Sequence, residues 1–437
     1  MRQKHIKYKY LKMRKTKNKI DKHKISFLLI IILSFFIIRT YYSQNFIVEE
    51  KDEDEDDYYK PDNNSIYCEE KFESYTEAFD KAKDFINNNL KGILLNTQKI
   101  KLSTKPKVSI VMPCYNCTKY ILKAIRSIQN QDLSNFEIII VNDASTDDSL
   151  KYIEQLQKEE SRIEIIKNMK NMGILYSRAI GTLSAKGNYI FPMDQDDMVL
   201  DKDVFSILIN IANKGKFDII IFNSIRSTLK PDVYTAGIEQ VYYERNHKSN
   251  LVLFQPDLGN YLITPTHDLE GVHFNDELIH GKLFRTKIYK KALNKLGKER
   301  YSRYMTLLED DLGINIIFNT AKSGKFIAKY GYLWIDSNER TAYRFLAQDK
   351  SARRFLYLFD ALIDFSLDLP NNKKVLVGYV LSLFKHKYFK ELLNTEYDNK
   401  LFVSCLDRLF NCKYISDVYK NEIRKRGKNL TFIKYNF

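Results

Sequence analysis

The sequence predicts an α/β fold: a mostly parallel, twisted sheet flanked by helices, preceded by a membrane anchor and followed by a helical carboxyl-terminal region. Three observations predict it. Short apolar runs of buried-strand type recur at residues 108–112, 136–141, 163–166, 189–193 and 217–223. Stretches of helical spacing separate them at residues 120–129, 149–160, 175–185 and 204–212. Polar or acidic clusters follow directly on several of the strand runs, where a parallel sheet gathers its ligand-binding loops.

The amino terminus comes first. Residues 1–24 hold eleven Lys and Arg against the single acid Asp21, so this basic tail holds much of the net charge of +15. Residues 25–38, ISFLLIIILSFFII, carry no charge, and Arg39, Tyr41 and Tyr42 follow. A bilayer takes roughly 20 apolar residues, so a short span over 25–42 needs Arg39 to snorkel and the tyrosines to sit at the interface. A cleaved signal peptide is the rival reading, but no small-residue cleavage site follows and the basic tail is long. The acidic run EEKDEDEDD after the span sets the orientation by the positive-inside rule. The expectation is a type II single-pass protein with its body in the Golgi or endoplasmic reticulum lumen. Sequons at Asn63, Asn116 and Asn429 are compatible with that address.

Residues 43–104 read as an acidic stem with an amphipathic helical stretch over 72–95. The α/β signals over 105–228 form the first half of a larger domain, and the less regular residues 229–345 the second. Residues 346–437 read as mainly helical, most clearly over 353–367 and 374–393. An apolar and aromatic share of 44% is ample for a core. The remaining cations are mixed with acids and form no basic and aromatic stripe, which argues against nucleic acid. Cys114 and Cys117 have zinc-like spacing without a second ligand pair nearby, so they read as small buried residues at a strand end. Cys405 and Cys412, seven residues apart on one helix, would lie about 10 Å from each other, too far to bridge.

Four constellations carry chemistry. In PCYNCTKY, residues 113–120, a strand ends at Pro113 and Asn116 suits a helix cap. In VNDASTDDS, residues 141–149, Asp143 stands two residues beyond a strand, where its carboxylate can accept hydrogen bonds from a nucleobase. In MDQDDMVL, residues 193–200, Asp194, Asp196 and Asp197 crowd the end of a strand. Like charges held together need a compensating cation or donors, and Mg²⁺ or Mn²⁺ takes such oxygen ligands. In LLEDDLGINIIF, residues 307–318, Glu309, Asp310 and Asp311 open an apolar helix. There they either complement its dipole or supply a carboxylate base.

The order and spacing of these elements resemble glycosyltransferase family 2, with its GT-A fold, from about Lys107 to Asp203 and again loosely at Glu309 to Asp311. VSIVMPCYN resembles the opening strand and P-x-Y-N turn, and IIIVNDASTDDS the family's V-D-D-G-S-T-D loop. NMGILYSRAIGTLSAKGNYIFPMDQDD resembles the stretch that ends in D-x-D-D, with Asn171, Gly173, Arg178, Gly181, Ala185 and Gly187 in register. Asn142 and Ala144 stand where the family has Asp and Gly, and Ser177 and Ala179 also depart. The resemblance implies that Pro113, Tyr115, Asp143, Arg178 and Asp194 bind the nucleotide-sugar. Asp143 would contact the base and Asp194 the ribose. Asp196 would ligate Mn²⁺ or Mg²⁺, and Asp311, with Asp310 beside it, would be the general base.

The function expected is an inverting, divalent-metal-dependent transfer from a nucleotide-sugar, a UDP-sugar by preference, to a hydroxyl of a glycan, glycoprotein or glycolipid. A degenerate glycosyltransferase domain that only binds glycans or partners is the alternative, and the intact carboxylates argue against it. A sugar-nucleotide pyrophosphorylase is weaker still, because PCYNCTKY has no glycine to form a phosphate loop.

Overall fold

The computed structural model describes residues 105–227, 278–305, 309–335, 351–366, 396–411 and 417–429, with Glu77 and short strands between 241 and 274. The described residues all belong to one compact unit within Pro61–Phe437. The expected tail, the anchor over 25–42, the stem over 43–104 apart from Glu77, and the helix over 374–393 lie outside the described residues. Among those described, no helix is long and apolar enough to cross a membrane.

The first half folds as its pattern requires. Strands β1 (Val108–Cys114), β2 (Phe136–Asn142), β3 (Ile163–Lys167) and β4 (Tyr189–Pro192) alternate with helices α1 (Ile121–Gln129), α2 (Ser149–Glu159) and α3 (Ile174–Ser184). The four strands pair in parallel in the order β3-β2-β1-β4. FEIIIVN is buried along its whole length, as a central parallel strand with helices on both faces must be. Its side chains alternate between two cores. Ile139 and Val141 join Val111 and Ile190 in one, and Ile138 and Ile140 join Ile110, Met112 and Phe191 in the other. Helix α3 comes very close to the sheet at Gly181, where a Cβ would meet Val111 Cγ1 at 2.7 Å.

The expected mostly parallel sheet is mixed. After β5 (Met198–Val199), α4 (Val204–Gly215) and β6 (Ile219–Ser227) come the short strands β7 (Val241–Tyr243), β8 (Val252–Phe254), β9 (Ile263–Pro265) and β10 (Val272–Phe274). Strand β11 (Lys282–Arg285) then enters between β4 and β6, antiparallel to both. Helices α5 (Thr286–Leu296), α6 (Lys298–Tyr301) and α7 (Glu309–Thr320) lead to β12 (Ser323–Ile335), which is parallel to β6 and antiparallel to β5. The strand alternation of the first half therefore stops at β6. Of the later strands, β7, β8 and β11 join antiparallel to their neighbours, which needs no helical crossover, β9 and β10 pair with each other, and β12 runs parallel to β6. The remaining described helices are α8 (Ser351–Ser366), α9 (Glu396–Asn411) and α10 (Asp417–Lys428). Buried Asp360 on α8 ties this region to the body by accepting from Arg303 at 2.5 Å and from Arg408 on α9.

Candidate active site

The carboxyl ends of β1, β2 and β4 open on one side of the sheet, and their loops brace one another. Asn116 has φ of 52° and does not cap α1, whose first turn has no side-chain cap. Its side chain instead grips the loop after β2: Oδ1 accepts from Thr146 N at 2.9 Å, and its backbone N donates to Ser145 Oγ at 3.0 Å. Cys117 N donates to Ser149 Oγ at 2.7 Å. Cys114 and Cys117 are buried as expected, and they are also joined to each other by a disulfide. Two cysteines three residues apart at a strand-to-helix turn lie within bridging range, and their Cα atoms are 5.8 Å apart. Pro113 is buried inside β1, whereas Tyr115 is 43% exposed at the mouth of this turn.

Asp143 is buried and holds the loop after β3. Its Oδ1 accepts from Asn168 Nδ2 at 2.6 Å and Met172 N at 2.8 Å, and its Oδ2 from Gly173 N at 2.8 Å. Three of its acceptor positions are thus occupied within the chain. Gly173, with φ of 89°, suits the turn that presents these N–H groups, and a Cβ there would meet Met305 O at 3.0 Å.

The DQDD run divides by environment. Asp197 is 1% exposed and pins the turn to β12, accepting from Tyr332 Oη at 2.7 Å and Ile335 N at 2.8 Å. Burial raises its carboxyl well above the usual range, and neighbouring Asp196 and Asp194 add to the rise. Tyr332 Oη also accepts from Asp194 N at 3.3 Å, so one hydroxyl spans both ends of the run. Asp194 and Asp196 are only half-buried. The sequence left Asp197 without a role; the β12 contact that supplies one lies 138 residues away.

Arg178 joins this run to α7. The residue is 2% exposed; Nη2 donates to Asp194 Oδ1 at 3.1 Å and Nη1 to Asp310 Oδ1 at 2.8 Å. Burial alone would lower the guanidinium's pKa, but Asp310 and then Asp194 outweigh it and raise it. Asp310 Oδ2 faces Ile279 N at 3.4 Å. Burial raises the Asp310 carboxyl, and Arg178 only partly offsets that. Asp311 is the more deeply buried of the two. It is 7% exposed, within a helix that is buried from Asp311 to Phe318, and its backbone O accepts from Asn315 Nδ2 at 2.7 Å. Successive helical residues diverge by about 100°, so one of the two must leave the cluster. Through Arg178 the structure brings Asp310 to the DQDD run.

Glu309 completes the carboxylate group. Burial and then Asp310 push its pKa up to about 7. A raised carboxyl binds its proton more tightly in the folded state, so folding stability falls as pH rises between the unfolded value and about 7. Relative to Glu309→Gln, the wild-type melting temperature is expected to decline across that window and level off above it. Parallel melting curves for the two proteins from pH 4 to 8, a range of about 4 units, test this, and unchanged spacing between them would refute it.

Among the described residues, no group of three or more His, Cys, Asp or Glu is arranged to hold a metal ion. The expected ligand, Asp196, has Asp194 near it in the same run as a second carboxylate. That fits a Mg²⁺- or Mn²⁺-type ion held largely by substrate phosphates and water, and does not fit an all-protein cage.

Residues 109–267 match the model of the family described as Glycosyl transferase family 2, which is less than half of the 437-residue chain. The GalNAc(5)-diNAcBac-PP-undecaprenol beta-1,3-glucosyltransferase of Campylobacter jejuni is 36% identical over 111 residues, covering 25% of this chain and 36% of that protein. EpsJ of Bacillus subtilis, an uncharacterized glycosyltransferase, is 37% identical over 187 residues, 43% of this chain and 50% of that one. The chain thus spans a third to a half of the length of these curated relatives. Among solved structures, S. aureus TarS 1–349 in complex with UDP-GlcNAc aligns with a TM-score of 0.49 and 17% identity, over 75% of this chain and 88% of that chain. A likeness of that size leaves the chemistry to be argued from this chain's own residues.

Proposed function

We propose that the chain is a glycosyltransferase of the GT-A type that moves a sugar from a nucleotide-sugar to an acceptor hydroxyl with inversion at the anomeric carbon. One observation carries this reading: Arg178 holds Asp194 of the DQDD run and Asp310 of the EDD run in a single buried bridge. A donor site and a base 116 residues apart in sequence thereby share one cleft. The match of residues 109–267 to a glycosyltransferase family supports the same reading.

In this mechanism the loops after β1 and β2 frame the nucleotide, with Pro113, Tyr115 and Asp143 on that side. Asp143 acts chiefly through the loop it holds. Asp194 faces the ribose, and Arg178 fixes its carboxylate. Asp196, with Asp194 beside it, would hold Mn²⁺ or Mg²⁺, whose chemistry is to neutralise charge on a leaving diphosphate. Asp310 takes the proton from the acceptor hydroxyl; Asp311, expected from the sequence, sits too deep for that role. A single displacement from the face opposite the leaving group inverts the centre.

A UDP-sugar donor is carried over from the family resemblance. The Campylobacter relative is named for a polyprenol-linked glycan, which supports a glycolipid among the acceptor classes expected here. Membrane attachment through residues 25–42 rests on the apolar run between basic and acidic flanks, and alkaline extraction of membranes tests it. The relatives compared are bacterial, so they lend nothing to a Golgi or endoplasmic reticulum lumen.

The test is a thermal-shift panel of sugar nucleotides with and without Mn²⁺, followed by transfer assays with the one that stabilises most. Asp196→Ala is expected to lower transfer about a hundredfold or more while leaving the melting temperature of the free protein near wild type. Full transfer by this variant in metal-containing buffer would remove Asp196 from the mechanism.

A further inference from the structure

The wall of the cleft on the β12 side is aromatic. Tyr332 and Trp334 are alternate residues of one strand and so share a face. Tyr332 is the residue that grips the DQDD turn, and Ile335 N, beside Trp334, holds Asp197 at 2.8 Å. His280 stacks on Tyr332 with ring centroids 4.7 Å apart and planes 4° from parallel. It also lies 5.4 Å from Trp334, at 44°. Tyr332 and His280 are buried, whereas Trp334 is half-buried and packs against the core.

The same wall leads to the base. Ile279, next to His280, directs its N–H at Asp310 Oδ2 from 3.4 Å. Lys282 is fully buried and turns back on this segment, donating to the carbonyls of Leu278 and, at 3.2 Å, His280. The segment is thus held from below, beside Asp310, by the chain's own backbone. In the sheet order β3-β2-β1-β4-β11-β6-β12, the nucleotide-side loops leave β1 and β2, and β12 lies on the other side of β4.

We propose that Trp334, backed by His280 and Tyr332, is a stacking platform for the sugar ring of the acceptor, so that the acceptor is a molecule ending in a hexose. This rests on the proposed function and deepens it by naming the acceptor's terminal chemistry. The C–H face of a pyranose is an apolar surface that packs on an aromatic face, while its rim hydroxyls stay hydrogen-bonded. Trp334 is linked to the carboxylate cluster through His280, 5.4 Å from its ring, and the adjoining Ile279 N–H that meets Asp310. A bare lipid phosphate or a protein side chain would have no such face to offer.

Trp334 is the chain's single tryptophan, so intrinsic fluorescence reports on this position alone. The full chain is titrated with methyl glucosides, methyl galactosides and their N-acetylated counterparts, with acrylamide as quencher and UDP as control. Saturable protection of Trp334 by at least one hexoside, added to whatever UDP does, is the expected result. No protection by any hexoside overturns the proposal, and so does protection by UDP that hexosides do not increase. In transfer assays, Trp334→Leu is expected to raise the acceptor KM about tenfold and leave the donor KM within about twofold. Trp334→Phe should fall between them. An equal rise in both constants would refute the acceptor role. Hexoside protection in a protein that transfers no sugar would support the platform while refuting the proposed activity, so the two failures are separable.

Discussion

Arg178→Met is expected to lower transfer about a thousandfold and folding stability by about 3–5 kcal/mol, the larger of the effects foreseen here. The guanidinium is buried and its two outer nitrogens serve two carboxylates, Asp194 at 3.1 Å and Asp310 at 2.8 Å. Methionine fills much of the same volume but leaves both acids without their cation, which is the costly way to break a buried ion network. Arg178→Lys separates the two losses. A single ammonium retains the charge but lacks the planar fork, so it cannot hold both partners at once. This variant is expected to recover most of the melting temperature and little of kcat. If Arg178→Met melted and turned over like the wild type, the bridge would have no part in either fold or function.

Asp310→Asn is expected to reduce kcat by about a hundred- to ten-thousandfold, the range of a lost general base. Asp311→Asn should cost far less. The contrast discriminates because the two residues are neighbours of the same chemical type, so any general effect of neutralising a carboxylate in α7 is shared. Asp310 meets Arg178 and the Ile279 N–H at the cleft, whereas Asp311 belongs to the buried run of the helix. Single-turnover measurements of the chemical step, with folding checked by melting curves, decide the matter. A larger loss in Asp311→Asn than in Asp310→Asn would restore the assignment that sequence pattern alone favours.

That pattern leaves the choice between Asp310 and Asp311 open for a definable reason. EDDLGINIIF presents three consecutive carboxylates, and the resemblance fixes the helix without its rotation about its own axis. Rotation is set by which residues pack inward, and here the inward run begins at Asp311. The same limit applies to Asn116. A polar residue after a strand reads as a cap, yet its partners are Ser145 and Thr146, about 30 residues on, across a parallel strand pair. The Cys114–Cys117 disulfide is hidden in a different way, because the spacing suits a metal motif or two small buried residues as readily as a bridge.

The sequence by itself determined the alternation of buried strands and helices over residues 108–215, because short continuous apolar runs and period-3.6 spacing are local properties of the chain. It also placed the acidic clusters at strand and helix ends, since such ends are where charge can remain solvated. Only the tertiary structure decided how those clusters share their work. Asp197 became a pin because β12 returns to cover it, and β11 entered antiparallel between β4 and β6. Arg178 became the link between Asp194 and Asp310 because α3 packs between two segments 116 residues apart in sequence. Each of these depends on long-range packing that brings distant residues within about 3 Å, and no local pattern encodes such a meeting.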